Sequence, residues 1–200
     1  MRADTERNRR RLIRSAAYLI ARKGSAVKMA DVAEHAEVST ATAYRHFTSV
    51  EDILIQFRRD VGQRLLVFSE KQTAVGVELL TTVSREWVTI VLRHGGAMIH
   101  TRSETGYLTR LRDRTEYLTA QAQALQHPIA SAAEELGLGN PGDIGLFLWN
   151  ILFDAREIID LRDSEHLDAD GINARLIGTL CGALRGWQAA DARDAAPAAP

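Results

Sequence analysis

The chain has 200 residues, 46% of them hydrophobic, a net charge of −1 at neutral pH and a single cysteine, Cys181. That length can bury a substantial core in one large or two small domains, and one cysteine excludes an intramolecular disulfide framework and a cysteine-rich zinc site. No segment is apolar for long enough to span a bilayer and no apolar leader precedes a cleavage site, so a soluble, cytoplasmic protein without a membrane partner is expected.

The near-neutral total conceals an asymmetry. Residues 1–50 carry ten Lys/Arg and five Asp/Glu, a balance of +5, whereas residues 51–200 carry fifteen and twenty-one, a balance of −6. A basic head on an acidic body fits a protein that touches nucleic acid with one end only.

The first expected helix runs from about Thr5 to Lys23, with Ile13, Ala16, Ala17 and Ile20 as its apolar stripe and Gly24 ending it. Arg7, Arg9, Arg10, Arg11 and Arg14 flank that stripe, either as a solvated face or as phosphate contacts. Next, Met29, Val32, Ala33 and Ala36 share one face of a short helix, and Ala33 is small enough for another helix to cross it. Val38 suits the gap between two helices. Ser39 is a good N-cap for a second short helix, in which Ala43 and Phe47 face inward. Thr40, Ala41, Thr42, Tyr44, Arg45 and His46 are left outside, and most of them can donate to phosphate oxygens or base edges. Two short helices, a tight turn and a donor-rich outer face are the layout of a DNA-reading helix-turn-helix.

Thr48 or Ser49 caps the next helix, with Glu51 and Asp52 against its positive end and Ile53, Leu54, Phe57, Val61, Leu65 and Phe68 as its stripe. This segment, about 49–71, connects the head to the body. A long helix with Leu79, Leu80, Val83, Trp87, Ile90 and Val91 on one face should end at Gly95-Gly96, followed by a short piece from about Ala97 to Arg102. Another should run from about Tyr107 to Leu136 and be kinked or broken by Pro128. A loop at 137–142 precedes two final helices, near Asp143–Arg162 and Asp168–Ala189. Residues 191–200 should be a disordered tail. The fold class is therefore all-α, with a helix-turn-helix domain at 1–48 and a larger helical domain at 49–190.

The penultimate helix carries apolar residues around most of its circumference, among them Trp149 and Phe153, so it needs cover on several sides. A second subunit is the simplest cover; a central core helix is the alternative. The final helix adds Ala174, Gly178, Gly182, Gly186 and Ala190, a four-residue ladder of small side chains. Each mid-helix glycine costs about 0.8–1 kcal/mol relative to alanine. Three at one spacing suggest that another helix lies close along that ridge. Cys181 sits among Leu180, Ala183 and Leu184 and reads as an inert core thiol.

Gly24, Met29-Ala-Asp-Val-Ala33, Ser39-Thr-Ala-Thr-Ala-Tyr-Arg-His-Phe47 and Ser49-Val-Glu-Asp52 together resemble the N-terminal signature of the tetracycline-repressor (TetR) family of bacterial transcription regulators. The resemblance spans roughly residues 8–55. It implies that Tyr44 and His46 hold the DNA backbone and that Thr40, Ala41 and Thr42 sit at the major groove. The chain departs from the family pattern at Glu37, where glycine is common in the turn, at Lys28, which replaces a hydroxyl cap with a cation able to reach phosphate, and at Val50, which replaces a phosphate-contacting lysine. The resemblance also implies a homodimer paired through the last two long helices, here with Trp149, Phe153, Gly178, Gly182 and Gly186, and a small-molecule effector bound among the middle helices.

Residues offered for that effector site are Phe68, Trp87, Tyr107, Tyr117, Asn150 and Asp154, with His94, His100 and Arg114 considered beside them. The bland alternatives are packing for Trp87, service to helix-end carbonyls for His94, and a surface pairing near Glu116 for Arg114. Asn150 and Asp154 lie four apart on the most apolar helix, where polar groups need partners. No metal-ligand spacing, phosphate loop or nucleophile motif is present, so neither an enzyme nor a cofactor is expected. The expected function is a ligand-responsive regulator, most simply a repressor on an inverted-repeat operator. An activator of the same architecture and a helical interaction or carrier protein are the rivals.

Overall fold

In a computed structural model the backbone is described for residues 2–99 and 105–194, and side chains from residue 4 to residue 193 within those spans. The described residues form ten α-helices and no strand: α1 (Arg2–Lys23), α2 (Met29–His35), α3 (Thr40–His46), α4 (Val50–Ser69), α5 (Gly76–Ile99), α6 (Tyr107–Arg112), α7 (Glu116–Glu135), α8 (Gly142–Leu152), α9 (Ala155–Ser164) and α10 (Ala169–Asp194). The all-α expectation holds. The helix α10 continues through 191–194, which were expected to be tail. Residues 195–200 lie outside the described residues, as do His100 and residues 101–102 of the short piece expected at 97–102, whose first three residues belong to α5.

The helices α4 and α5 pack along α7 at the centre, α1 lies across α4 and α5, and α10 covers α5 and α8. Buried side chains form one cluster from Leu12 and Ile20 in α1, through Phe57 and Leu65, to Leu180 and Leu184 in α10. No gap in packing marks the expected boundary at 48/49.

Three helix boundaries differ from the sequence expectation. First, Gly95 and Gly96 do not end α5, which continues to Ile99. They serve packing instead. A Cβ at Gly96 would stand 2.6 Å from the Cα of Ala21 in α1, and one at Gly95 would stand 2.7 Å from the Cδ1 of Ile159 in α9. His94 is consequently inside a helix, edge-on to Phe57 with ring centroids 6.0 Å apart. Burial and the neighbouring charges of Arg93 and Arg64 push its pKa down.

Second, the helix expected over 107–136 breaks at 113–115, whereas Pro128 sits inside an uninterrupted α7. A proline removes the N–H that would bond the carbonyl four residues back. That carbonyl, on Ala124, accepts a 2.7 Å hydrogen bond from the Ser69 hydroxyl at the end of α4. The break uses Arg114 at φ 52, with Thr115 N–H donating to Arg110 O (3.0 Å) and Arg114 N–H to Leu111 O (3.1 Å). This is a Schellman stop made without glycine. Glu116, adjacent to it, pairs with Arg59 rather than with Arg114.

Third, the helix expected over 143–162 is two. Asp154 interrupts it as the N-cap of α9, its carboxylate accepting from Arg156 N–H at 2.9 Å. Burial raises the pKa of the Cys181 thiol, a free cysteine packed beside Leu180 and Leu184 as expected of a core thiol.

Candidate functional site

The N-terminal unit presents the expected reading face outward. Ala43 is fully buried and Phe47 is buried, while Ser39, Thr40, Ala41, Tyr44 and Arg45 are exposed and Thr42 and His46 half-buried. The Ser39 Oγ accepts from the Thr42 N–H at 3.1 Å, and its own O–H donates to Thr42 Oγ1 at 2.9 Å. That leaves the Thr42 hydroxyl proton to be donated outward. Ser49 caps α4 in the same way, accepting from Asp52 N–H at 3.1 Å. At α2, the Asp31 carboxylate accepts from the Lys28 N–H at 2.8 Å, so the lost hydroxyl cap is partly compensated while the exposed Lys28 side chain is left outside. His46 has its Nε2 buried with no hydrogen-bond partner among the described residues.

The turn between α2 and α3 is a second Schellman stop. Glu37 sits at φ 53, its N–H donates to Glu34 O (2.9 Å), and Val38 N–H donates to Ala33 O (3.0 Å). Glu37 therefore does occupy the left-handed position that favours glycine, at a cost of about 1–2 kcal/mol. Its carboxylate pairs with Arg11 of α1. Arg7 pairs with Asp4 at 3.1 Å, Arg10 with Glu6 at 3.0 Å, and the Arg9 guanidinium lies 5.3 Å from the Phe47 ring centroid. Surface pairs of this kind contribute about 0–1 kcal/mol, little enough for a phosphate to displace. Glu37→Gly is accordingly expected to raise stability by up to about 1 kcal/mol, since the strain relieved exceeds the exposed pair lost. It should also free Arg11, steepening the salt dependence of DNA binding by about one phosphate contact. Urea unfolding and salt titration test both halves, and a less stable variant with an unchanged slope would contradict them.

A cavity of about 370 Å³ opens in the body between α4, α5, α6 and the α8–α9 junction. Trp87, Tyr107, Asn150 and Asp154 line it, with Arg58, Arg110 and Arg156. Trp87 also serves packing, donating its Nε1–H to Phe153 O at 2.9 Å. Asn150 is half-buried and Asp154 exposed. Phe68, expected beside them, lies nearer the end of α4 and is not part of the wall. Tyr117 is also outside the wall but organises it: the Arg58 guanidinium lies 4.4 Å from its ring centroid, and Arg110 donates to its hydroxyl at 2.8 Å. Arg114 is exposed on its turn, away from the cavity.

Burial lowers the pKa of Arg58; Tyr117 and Asp154 oppose that shift and Arg110 adds to it. Burial pushes the Tyr107 phenol up to about 12, so it stays protonated. Sequence reasoning missed Arg58, Arg110 and Gln121. A signal existed for Arg58, which falls on the core stripe between Leu54 and Val61, and for Gln121, buried on the apolar face of α7 between Leu118 and Leu125.

Trp149 and Phe153, expected between subunits, are buried inside the protomer at 1% exposure each. Their rings stack 5.0 Å apart, Trp87 meets Trp149 edge-on at 5.4 Å, and the Trp149 Nε1–H donates to Ser84 Oγ at 3.0 Å. Both rings thus face α5 and leave almost none of their own surface for a partner. Gly178, Gly182 and Gly186 differ: all three are exposed, and a Cβ on any of them would meet nothing within 4 Å. Trp187 and Ile151 are exposed at 41% and 50%.

Residues 12–57 match the model of the bacterial regulatory proteins of the tetR family. No curated protein sequence matches the chain. Among solved structures, it resembles the fatty acid degradation regulator FadR of Bacillus halodurans with a TM-score of 0.69 at 17% identity, covering 89% of this chain and 96% of that one. FadR of Bacillus subtilis, solved in complex with stearoyl-CoA, gives a TM-score of 0.66 at 18% identity over 86% of this chain and 96% of that one. FadR of Thermus thermophilus, a TetR-family transcriptional repressor in complex with lauroyl-CoA, gives 0.51 at 18% over 86% and 92%. These likenesses show the fold of the chain, and residues 12–57, with the capped and outward-facing α3, are similar to the DNA-binding head of the tetR family of bacterial regulatory proteins.

Proposed function

We propose that the protein is a ligand-responsive repressor that binds an inverted-repeat operator as a homodimer and is released when a small molecule occupies the body cavity. The outward face of α3 carries this reading, because an exposed run of hydroxyls, a tyrosine and an arginine on a capped helix has no structural task inside the protomer. The effector half is supported by a cavity of about 370 Å³, within the range of small-molecule sites, and by the acyl-CoA complexes of two proteins sharing the fold. The dimer is supported by the exposed glycine ridge of α10. A twofold pair carries two heads related by its axis, so an inverted repeat is its natural target.

Lys28, Ser39, Tyr44 and His46 are assigned to phosphates, and Thr40, Ala41, Thr42 and Arg45 to the major groove. Tyr44→Phe and His46→Ala should weaken binding to all DNA alike. Thr40→Ala and Arg45→Ala should change which sequences are preferred, by about 1–3 kcal/mol where a base contact is lost. Selection from a random DNA pool separates the groups; recovery of the wild-type motif by the Thr40 and Arg45 variants would refute the assignment of the reading face.

A further inference from the structure

The charge of the cavity wall says more than its volume. Among the described residues, three arginines, Arg58, Arg110 and Arg156, line it against one carboxylate, Asp154. That carboxylate is already engaged in capping α9 through the Arg156 N–H. Arg58 from α4 and Arg110 from α6 converge on one side chain, the first over the Tyr117 ring and the second on its hydroxyl. Two like charges thus meet at one side chain. The Nε of Arg110 is buried and has no hydrogen-bond partner among the described residues. Leaving a guanidinium N–H buried without an acceptor is costly, so a small shift of Arg110 that brings it to an anion in the cavity is favoured. Charge-assisted hydrogen bonds from arginine to a carboxylate or phosphate are the strong way to satisfy it. The wall also holds apolar side chains, Trp87, Met98, Ile99, Phe147, Ile151 and Phe153, beside the uncharged polar Thr105, Gln121 and Asn150. The protonated Tyr107 phenol can donate to a ligand without adding negative charge.

We propose that the effector is an anionic amphiphile, a carboxylate or phosphate head held by Arg110 and Arg58 with an apolar body against Trp87 and the α8 side chains. This rests on the reading of the cavity as the effector site. Because Arg58 belongs to the helix leading directly from the reading head, an anion drawing it toward Arg110 acts on that helix itself.

The test is calorimetric titration of the full chain with decanoate, decyl phosphate and decanol, all kept monomeric, on wild type, Arg110→Gln and Arg110→Lys. Operator affinity is measured in parallel. At least one of the two anions should bind tenfold or more tighter than decanol, and the stronger of them identifies the head. Arg110→Gln should remove that preference and leave decanol unchanged, while Arg110→Lys should retain part of it. Equal affinity for decanol, an unchanged preference in Arg110→Gln, or binding by none of the three overturns the proposal. The two readings fail separately. An anion that binds through Arg110 without weakening operator binding keeps the anion site and removes its regulatory role; decanol binding as tightly and releasing DNA does the reverse.

Discussion

Gly182→Leu is expected to yield a monomer with intact helices and operator affinity reduced by about 10²–10⁴-fold, the usual gain from linking two binding modules. Within the protomer the substitution is harmless. No atom lies within 4 Å of a Cβ at that position, and replacing an exposed mid-helix glycine should add close to 0.8–1 kcal/mol of helix propensity. Any loss of assembly therefore reports on a neighbouring molecule and not on folding. The ridge of Ala174, Gly178, Gly182, Gly186 and Ala190 is exposed along its whole length, as a surface built for close helix approach would be. Leucine there holds the partner helix away. Sedimentation velocity with operator titration decides the matter: a dimer of unchanged affinity and raised melting temperature would remove the ridge from the interface.

Gly96→Ala is expected to have the opposite effect on stability and a selective effect on DNA. Helix propensity alone would make it stabilising by about 1 kcal/mol. The new methyl, however, would stand 2.6 Å from the Cα of Ala21, a backbone atom that no rotamer change can move aside. Overpacking of this kind costs about 1–3 kcal/mol, so the net sign is destabilising and the melting temperature should fall by a few degrees. To relieve the contact, α1 must shift off the end of α5. Because α1 carries the head, the spacing of the two recognition helices should change, and an operator reads that spacing at about 34–36 Å between adjacent half-sites. Specific binding should therefore suffer more than binding to arbitrary DNA. A raised melting temperature would show that the Gly96–Ala21 contact yields easily and does not hold head to body. The last turn of α5 also places Met98 and Ile99 in the cavity wall, so the contact that positions the head is one turn from the proposed ligand.

Glycine and proline show where local rules stop. Reading Gly95-Gly96 as a stop and Pro128 as a break treats each as a property of its own helix. In the folded chain Ala21 needs the first pair to be small, and Ser69 supplies the hydrogen bond that Pro128 withholds. Conversely, the stop after α6 is built on Arg114 in the left-handed conformation, which carries none of the glycine signal that marks the equivalent stop at Gly137. Asp154 was legible as a polar group in an apolar run. Its use as a cap, which splits that run into α8 and α9, was not.

The sequence by itself determined the reading head: Ser39 and Ser49 as caps, Ala43 and Phe47 as anchors, and the outward side chains between them. Each of these depends on partners within about one helical turn, and 3.6-residue periodicity specifies which face such residues occupy. It also determined the all-α class and the glycine ridge, for the same reason of local spacing. Only the tertiary structure decided which aromatic face meets α5, how α1 rests on Gly96, and that Arg58 and Arg110 meet on Tyr117. Those contacts join helices far apart in the chain, and their register is set by mutual packing of the whole core, which no single helix encodes.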